Sequence, residues 1–184
     1  MIDHVRLVNT DDKGEISVYA EGLIEPPNFK IEDQGKTILI KDIRPVQIEE
    51  EADLDKVCSV EPNFTSYRVQ IPGNKNVYIS ILEGNLYSDG FKGQLNVKVE
   101  DGIIKLSKPT DQVRVKLNTG SVIVKDIVNA RIDAETNMGI LNTDLKKEAP
   151  EKHRKNLVDT IGKPYPLINI RAIMANIYLY GQKG

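Results

Sequence analysis

Three carboxylates in the second half of the chain could take part in glycan chemistry: Asp133, Glu135 and Asp144. Asp133 and Glu135 alternate with other residues, which places both on the same side of a strand. Enzymes that cleave glycosidic bonds need two carboxylates within about 5 to 10 Å of each other, or carboxylates with a metal and a basic group. Arg114 and Lys116 could supply the basic group, because they stand 19 residues earlier in a similar sequence. We expect the simpler alternative, a ladder of ion pairs on a solvated sheet face.

Two further basic residues, Lys152 and Arg154, lie in a cluster of positive charge that could contact an acidic partner. A solvated loop explains the same cluster, and it is the interpretation that we favour. The candidates for a binding face are therefore Arg114, Lys116, Asp133, Glu135, Lys152 and Arg154.

The cysteine, the histidines and the acidic run of the chain do not indicate catalytic chemistry. Cys58 is the single cysteine, and a nucleophile needs a positioned base, whereas the two histidines stand in polar contexts. The acidic run over residues 49–55 could hold calcium, but it lacks the spaced Asp/Asn-Gly loop of a dedicated site. We predict no catalytic residue, no cofactor and no metal ion, and hence that the chain is not an enzyme.

The elements that must carry these side chains repeat along the chain. In "VRVKLNTGSVIVKD", apolar residues alternate on both sides of Gly120, and related sequences surround Gly84, Gly102 and Gly139. The spacings are 18, 18 and 19 residues, and a fifth copy, "INIRAIMANIYLY", has Ala175 in place of the glycine. Glycine adopts positive φ without a Cβ penalty. The pattern therefore predicts a strand, a glycine corner and a second strand in each copy.

Each copy carries apolar residues seven, five and three positions before the glycine and two positions after it, with few exceptions. This alternation places them on one face of their strands. A unit of this size cannot bury its apolar face alone, so the copies must stack. We predict columns of equivalent residues, with Val77 on Leu95, Leu95 on Val113 and Val113 on Ile132.

The predicted fold is all-β: a parallel β-solenoid of about five 18-residue coils, right-handed or irregular, with an N-terminal β-hairpin cap. The alternative is an antiparallel β-sandwich, in which the constant period has no particular cause. Residues 1–66 contain a strand in "GEISVYAEG", a hairpin in "NFKIEDQGKTILIKDI" and an acidic loop or short helix over 48–57. We expect them to pack on or cap the first coil, because an open end is an aggregation-prone edge.

Residues 67–184 form the solenoid, continuous with the N-terminal part as one domain. We predict an inserted loop at 145–166, with one or two helical turns around 151–161, and insertions of this kind often lie on the binding face of a solenoid. Several tyrosines fall in the first and last coils, where they could stack on sugars, although packing at the ends is the simpler interpretation. They are Tyr78, Tyr87, Tyr165, Tyr178 and Tyr180, the last two expected to cover the final coil.

Composition narrows the class of partner. The chain of 184 residues is 40% hydrophobic and 28% charged, as in ordinary globular proteins, and it has 25 basic against 27 acidic residues. This balance argues against nucleic acid and anionic membrane as partners, and the short apolar runs argue against membrane insertion. The start "MIDHVRLVNT" lacks a secretory signal. The classes of partner that remain are a neutral glycan and another protein.

The segment "YRVQIPGNKNVYISILEGNLYSDGFKGQLNVKVEDGIIKLSKPTDQVRVKLNTGSVIVKD" resembles the bacterial putative-adhesin domains, described as auto-transporter adhesin head-like domains of unknown function and common in Bacteroidetes. The resemblance covers roughly residues 67–144 and implies a β-solenoid, export to the periplasm or cell surface, and an adhesive role without catalytic residues. The absent signal and the long insertion after Asp144 depart from the family pattern. The residues that carry the resemblance are Ile71, Pro72, Val77, Ile79, Gly84, Gly102, Gly120 and Gly139.

We therefore predict a non-enzymatic, adhesin-like binding module of the periplasm or cell surface, a monomer or weak homo-oligomer that presents a stacked β-face to a glycan or protein. A cytoplasmic location stays open. One alternative is a structural protein that polymerises end to end, as the bactofilin-like solenoids do. The other, less favoured, is a carbohydrate-active enzyme.

Overall fold

The computed structural model describes residues 2–10, 16–22, 29–43, 65–73, 75–145 and 155–182, and the described residues form strands without helices. Accordingly, this part of the chain contains no helix that is long and apolar enough to cross a membrane. The strands are β1 (Ile2–Thr10), β2 (Ser17–Gly22), β3 (Phe29–Gln34), β4 (Thr37–Asp42), β5 (Thr65–Pro72), β6 (Asn76–Glu83), β7 (Asn85–Asp89), β8 (Leu95–Ser107), β9 (Val113–Ile127), β10 (Ala130–Thr136), β11 (Leu141–Thr143), β12 (Asn156–Ile161) and β13 (Leu167–Gly181).

The 13 strands form one mixed, open sheet, so the all-β prediction is confirmed. The pairing divides into two series, which share the long strands β8, β9 and β13. The first series runs β3, β4, β6, the N-terminal halves of β8, β9 and β13, then β10 and β12. The second series runs β2, β5, β1, β7, the C-terminal halves of β8, β9 and β13, then β11.

The 18-residue period appears as parallel register between neighbouring strands. Val77 pairs with Leu95, and Leu95 pairs with Val113. Two residues past each glycine, Leu86 pairs with Ile104 in the same way. These apolar side chains are 5% exposed or less, because alternation along each strand directs them to one face. The repeat seen in the sequence is therefore a repeat of strand pairing.

The glycines of the repeat mark the boundary between the two series, where the backbones of successive copies approach closely. Gly120 has φ of +125°, and a Cβ on it would lie 1.9 Å from the carbonyl oxygen of Gly102. Gly102 stands in the same relation to Gly84, with φ of +151°. A side chain is excluded here both by the backbone conformation and by the neighbouring carbonyl.

The predicted order of the copies is wrong after Val113. Ile168 of β13 pairs with Val113, and Ile132 of β10 then pairs with Ile168. The fifth copy therefore lies between the third and the fourth, instead of following the fourth. The alignment of Ala175 with the glycines of the other copies is correct, because Ala175 pairs with Gly120. A Cβ on Gly139 would lie 1.9 Å from the carbonyl oxygen of Ala175.

Short connections explain how the fifth copy can lie between the third and the fourth. Only residues 128 and 129 join β9 to β10, yet an extended link of three peptide units spans about 10 Å, enough to pass over one vacant strand position. After β12 the chain contacts this link, where the backbone N–H of Lys163 donates to Asn129 Oδ1 at 2.9 Å. A Cβ on Gly162 would lie 2.2 Å from the same oxygen. The tight crossing delivers β13 into the vacant position.

The segment 145–166, which was predicted to be an inserted loop, contains a strand. Residues 156–161 form β12, which pairs antiparallel with β10, where the sequence had suggested a loop with helical turns. Leu157 is the buried apolar residue of this strand, at 4% exposure, and the polar residues around it hide the strand pattern. Residues 146–154 lie outside the described residues.

The N-terminal strands extend both series. The predicted strand β2 and hairpin β3–β4 are present, and β4 pairs parallel with β6, next to the first copy of the repeat. Strand β1 joins the second series by pairing parallel with β5 and β7. The acidic segment 48–57 and Cys58 lie outside the described part of the chain.

Candidate binding surface

The outward side chains of the first series form rows that cross several strands. One row contains Asn96, Arg114, Asn169 and Asp133, and the next contains Lys98, Lys116, Arg171 and Glu135. The sequence had suggested that Arg114 and Lys116 lie directly beside Asp133 and Glu135. Strand β13 separates the two pairs, so they stand two strand spacings apart, or about 10 Å.

Arg171 of β13 takes the place between them and neutralises the two carboxylates. Its Nη2 atom lies 2.7 Å from Asp133 Oδ2, and its Nε atom lies 3.8 Å from Glu135 Oε2. Asn169 Nδ2 also donates to Asp133 Oδ2, at 3.2 Å. The hydrogen bond from Arg171 lowers the pKa of Asp133 below its usual value. This arrangement is the ion-pair ladder that the sequence favoured over a catalytic pair.

A second ion pair lies on the same face, on strand β8, and we call this surface the ion-paired face. Lys98 Nζ lies 2.6 Å from Glu100 Oε1, and Asn118 Nδ2 donates to Glu100 Oε2. A shallow depression of about 250 Å³ lies between Lys116 and the Arg171 cluster. Among the described residues, Arg114 and Lys116 have no carboxylate within 4.0 Å, so this face combines ion pairs with two cations that are not ion-paired.

The remaining predicted site residues lie apart from this cluster or outside the described chain. Asp144 follows β11 at the end of the second series, where its Oδ1 atom accepts a hydrogen bond of 2.7 Å from the backbone N–H of Gly181. It does not join Asp133 and Glu135. Lys152 and Arg154 lie outside the residues that the structure describes.

The outward side of the second series has a different character. Here Arg6 of β1, Tyr87 of β7, Lys105 of β8 and Ile123 of β9 stand in one row. Lys125 stands two residues further along β9. An open depression of about 450 Å³ crosses these strands. We call this surface the basic-aromatic face; its depression is lined by Arg6, Tyr87, Ser88, Asp89, Lys105, Leu106, Ser107, Ile123 and Lys125.

In the part of the chain that the structure describes, the cations of the basic-aromatic face are not paired with carboxylates. Among the described residues, no carboxylate lies within 4.0 Å of Arg6, Lys105 or Lys125. Lys105 Nζ lies 5.2 Å from the centroid of the Tyr87 ring, which is a cation–π contact. The three cations are exposed, while Tyr87 is half-buried. Positive charge is thus held against an aromatic ring and left available to solvent.

Two tyrosines expected at an end of the molecule extend this face instead. Tyr178 pairs with Ile123 on one side and with Asn142 on the other, because β13 lies between β9 and β11. The rings of Tyr178 and Tyr180 stack with centroids 6.4 Å apart. They are therefore not covers of a final coil. Elsewhere, Tyr165 donates a hydrogen bond to Asp111, which raises the pKa of its hydroxyl.

Sequence reasoning did not single out Arg6, Lys105, Lys125 or Arg171. The repeat contained a signal for Lys105, because the residues three positions after each glycine share an outward row, and in the second copy that residue is Lys105. The outward positions had been aligned only before each glycine, where Arg114 and Lys116 match Asp133 and Glu135. Arg171 could not be placed without knowing where β13 inserts.

Comparison with solved structures identifies one with the same fold. It is described as a putative cell adhesion protein from Clostridium sporogenes, with a TM-score of 0.67 and 15% sequence identity, and the alignment covers 98% of this chain and 89% of that one. No protein-family model matches the chain. The curated proteins contain no match either. At this identity the likeness concerns the fold.

Proposed function

We propose that this chain is a non-enzymatic binding module of the adhesin type, built as a β-solenoid and located at the cell surface or in the periplasm. In this proposal the module presents an outward sheet face to a glycan or a protein. It belongs with the putative-adhesin domains that its repeat resembles.

The observation that carries the proposal is the register of the outward side chains. In the second series, Arg6, Tyr87, Lys105, Ile123 and Tyr178 continue one row across five neighbouring strands. Strand spacing of about 4.8 Å fixes the separation of successive side chains along the row. A surface of this kind suits an extended partner with repeated groups better than it suits a small substrate enclosed by walls.

The close approach of the glycines supports the solenoid architecture. Gly102 and Gly120 each bring their backbone against the preceding glycine, and the strands on either side keep parallel register. In an antiparallel sandwich neither feature would recur at intervals of 18 residues. The fold shared with a protein described as a putative cell adhesion protein also supports the adhesive role.

The ion pairing of Asp133 argues against its acting as the acid in glycan cleavage. A general acid for this chemistry needs a raised pKa so that it carries a proton near neutral pH. The pKa of Asp133 is instead lowered, because Arg171 donates a hydrogen bond to it. Glu135 faces the same guanidinium at 3.8 Å. Both carboxylates serve the sheet as structural ion-pair partners.

The experiment that tests the proposal measures binding and cleavage on the same samples. The purified chain is passed over immobilised neutral polysaccharides, acidic polysaccharides and extracellular proteins, with biolayer interferometry as the readout. The length of each polysaccharide is then measured by size-exclusion chromatography after prolonged incubation. We expect saturable binding to at least one member of the panel, with all polysaccharide lengths unchanged.

Two results would contradict the proposal. Shortening of a polysaccharide would identify a carbohydrate-active enzyme, and absence of binding across the whole panel would remove the adhesive role. Static light scattering of the same protein, at increasing concentration, separates binding from self-assembly. Filament growth in that measurement would favour the structural alternative.

A further inference from the structure

We propose that the basic-aromatic face binds a carboxylated polysaccharide, a polymer of uronic acid residues. The inference rests on the proposed function and names the ligand class and the surface. Its anchors are Arg6, Lys105 and Lys125 for the carboxylates, Tyr87 for the sugar ring, and Asp89 for sugar hydroxyls.

The spacing of the cations suits a repeating anion. Arg6 lies on β1 and Lys105 on β8, with β7 between them, so their strands are about 10 Å apart. Lys125 lies on the next strand, β9, two residues beyond the row. Arg68 of β5 pairs with Arg6 and continues the positive charge to the other side. The cations therefore follow a line across the strands instead of surrounding one point.

Their charge is available to a ligand. Within the described part of the chain, no carboxylate lies within 4.0 Å of Arg6, Lys105 or Lys125. On the ion-paired face, by contrast, Arg171 and Lys98 are held by neighbouring carboxylates. An anionic partner on the basic-aromatic face gains attraction without first breaking an internal ion pair.

The other groups on this face match a sugar. Ile123 and the half-buried ring of Tyr87 provide apolar contact for the faces of pyranose rings. Ser107 and the carboxylate of Asp89 line the same depression and can accept hydrogen bonds from hydroxyl groups. A partner that combines carboxylates with many hydroxyls satisfies both sets of groups at once.

The same composition disfavours a nucleic acid. The chain as a whole carries a net charge of −2. Nucleic-acid affinity depends on neutralising several phosphates with basic residues, and it is usually accompanied by a basic domain. The mixture of three cations, one carboxylate and Ser107 suits a polymer that carries hydroxyl groups as well as anionic groups.

The test uses polygalacturonate as the probe and two double variants that change charge equally. The first, Lys105→Glu with Lys125→Glu, alters the basic-aromatic face. The control, Lys98→Glu with Lys116→Glu, alters β8 and β9 on the ion-paired face. We expect the first variant to weaken binding at least about tenfold, equivalent to about 1.4 kcal/mol, and the control to weaken it less than about threefold.

Several outcomes would overturn the inference. They are equal weakening in the two variants, tighter binding to single-stranded DNA than to polygalacturonate at the same salt concentration, and binding that does not weaken as salt is raised. Circular dichroism and urea unfolding of each variant separate lost binding from lost folding, and Lys105→Gln with Lys125→Gln repeats the test with a smaller charge change. If the chain binds a neutral polysaccharide or a protein but not polygalacturonate, this inference fails while the proposed function stands.

Discussion

At the scale of single residues, the glycines of the repeat are fixed by the neighbouring copy. Gly120 combines φ of +125° with a carbonyl oxygen 1.9 Å from where its Cβ would lie. The sequence predicted a corner between two strands at this position, but β9 runs through Gly120 without a break. Glycine's freedom to adopt positive φ is one reason for the residue here. The close approach of Gly102 is a second reason, which becomes visible only when the copies are stacked.

We predict that Gly120→Ala lowers the free energy of unfolding by about 3 to 5 kcal/mol, because the added Cβ forces two strands apart. Gly90→Ala is the matched control: Gly90 has φ of +59°, but no atom lies within 4 Å of its Cβ position. Conformational strain alone should cost the control about 1 to 2 kcal/mol. Urea unfolding measures both, and equal losses would show that stacking of the copies does not constrain Gly120.

The ion pair between Asp133 and Arg171 predicts how the stability of the fold depends on pH. Since the pKa of Asp133 is lowered in the folded chain, its stabilisation is present above the unfolded value of about 3.9 and is lost as the pH falls below it. The side chains are 35% and 40% exposed, so we expect no more than about 1 kcal/mol. Asp133→Asn should therefore lower stability at neutral pH and have less effect near pH 3, as measured by urea unfolding. If Asp133→Asn lowers the free energy of unfolding equally at both pH values, the ion pair with Arg171 is contradicted.

At the scale of elements, the sequence predicts which segments are strands better than it predicts their order. The 18-residue period correctly aligns Val77, Leu95 and Val113. Every copy has nearly the same apolar offsets, however, so each can pack against any other, and the position of β13 depends on the short link before β10. Strand β12 was missed because it has one buried apolar side chain, Leu157. Only part of the candidate site was predicted, because Arg171 lies on β13 and the repeat does not determine where β13 inserts.

Cysteine cross-linking tests the strand order directly. Arg114 and Asn169 are paired in register, with Cα atoms about 4.8 Å apart, which permits a disulfide. Arg114 and Asp133 are separated by β13, at about 10 Å, which does not. With Cys58 replaced by serine, oxidation should cross-link Arg114→Cys with Asn169→Cys but not Arg114→Cys with Asp133→Cys. The reverse result would restore the order in which the copies occur in the sequence.

At the scale of the whole molecule, antiparallel strands border the parallel core. In the described residues, β3 and β12 lie at the two ends of the first series, and β2 lies at one end of the second. At three of the four ends these strands break the parallel register that an end-to-end polymer would continue, whereas β11 at the fourth end pairs parallel with β13. The two outward faces then differ in charge compensation. We infer that the molecule contacts partners mainly through its sides.

We propose that the partner binds along an extended face instead of in an enclosed pocket. Isothermal titration calorimetry with galacturonate oligomers of increasing length tests it, because each added sugar reaches a further strand of the row. We predict that affinity rises with length until the oligomer spans the strands from Arg6 to Lys125. Galacturonate monomer binding as tightly as the longest oligomer, or affinity independent of length, would contradict the claim.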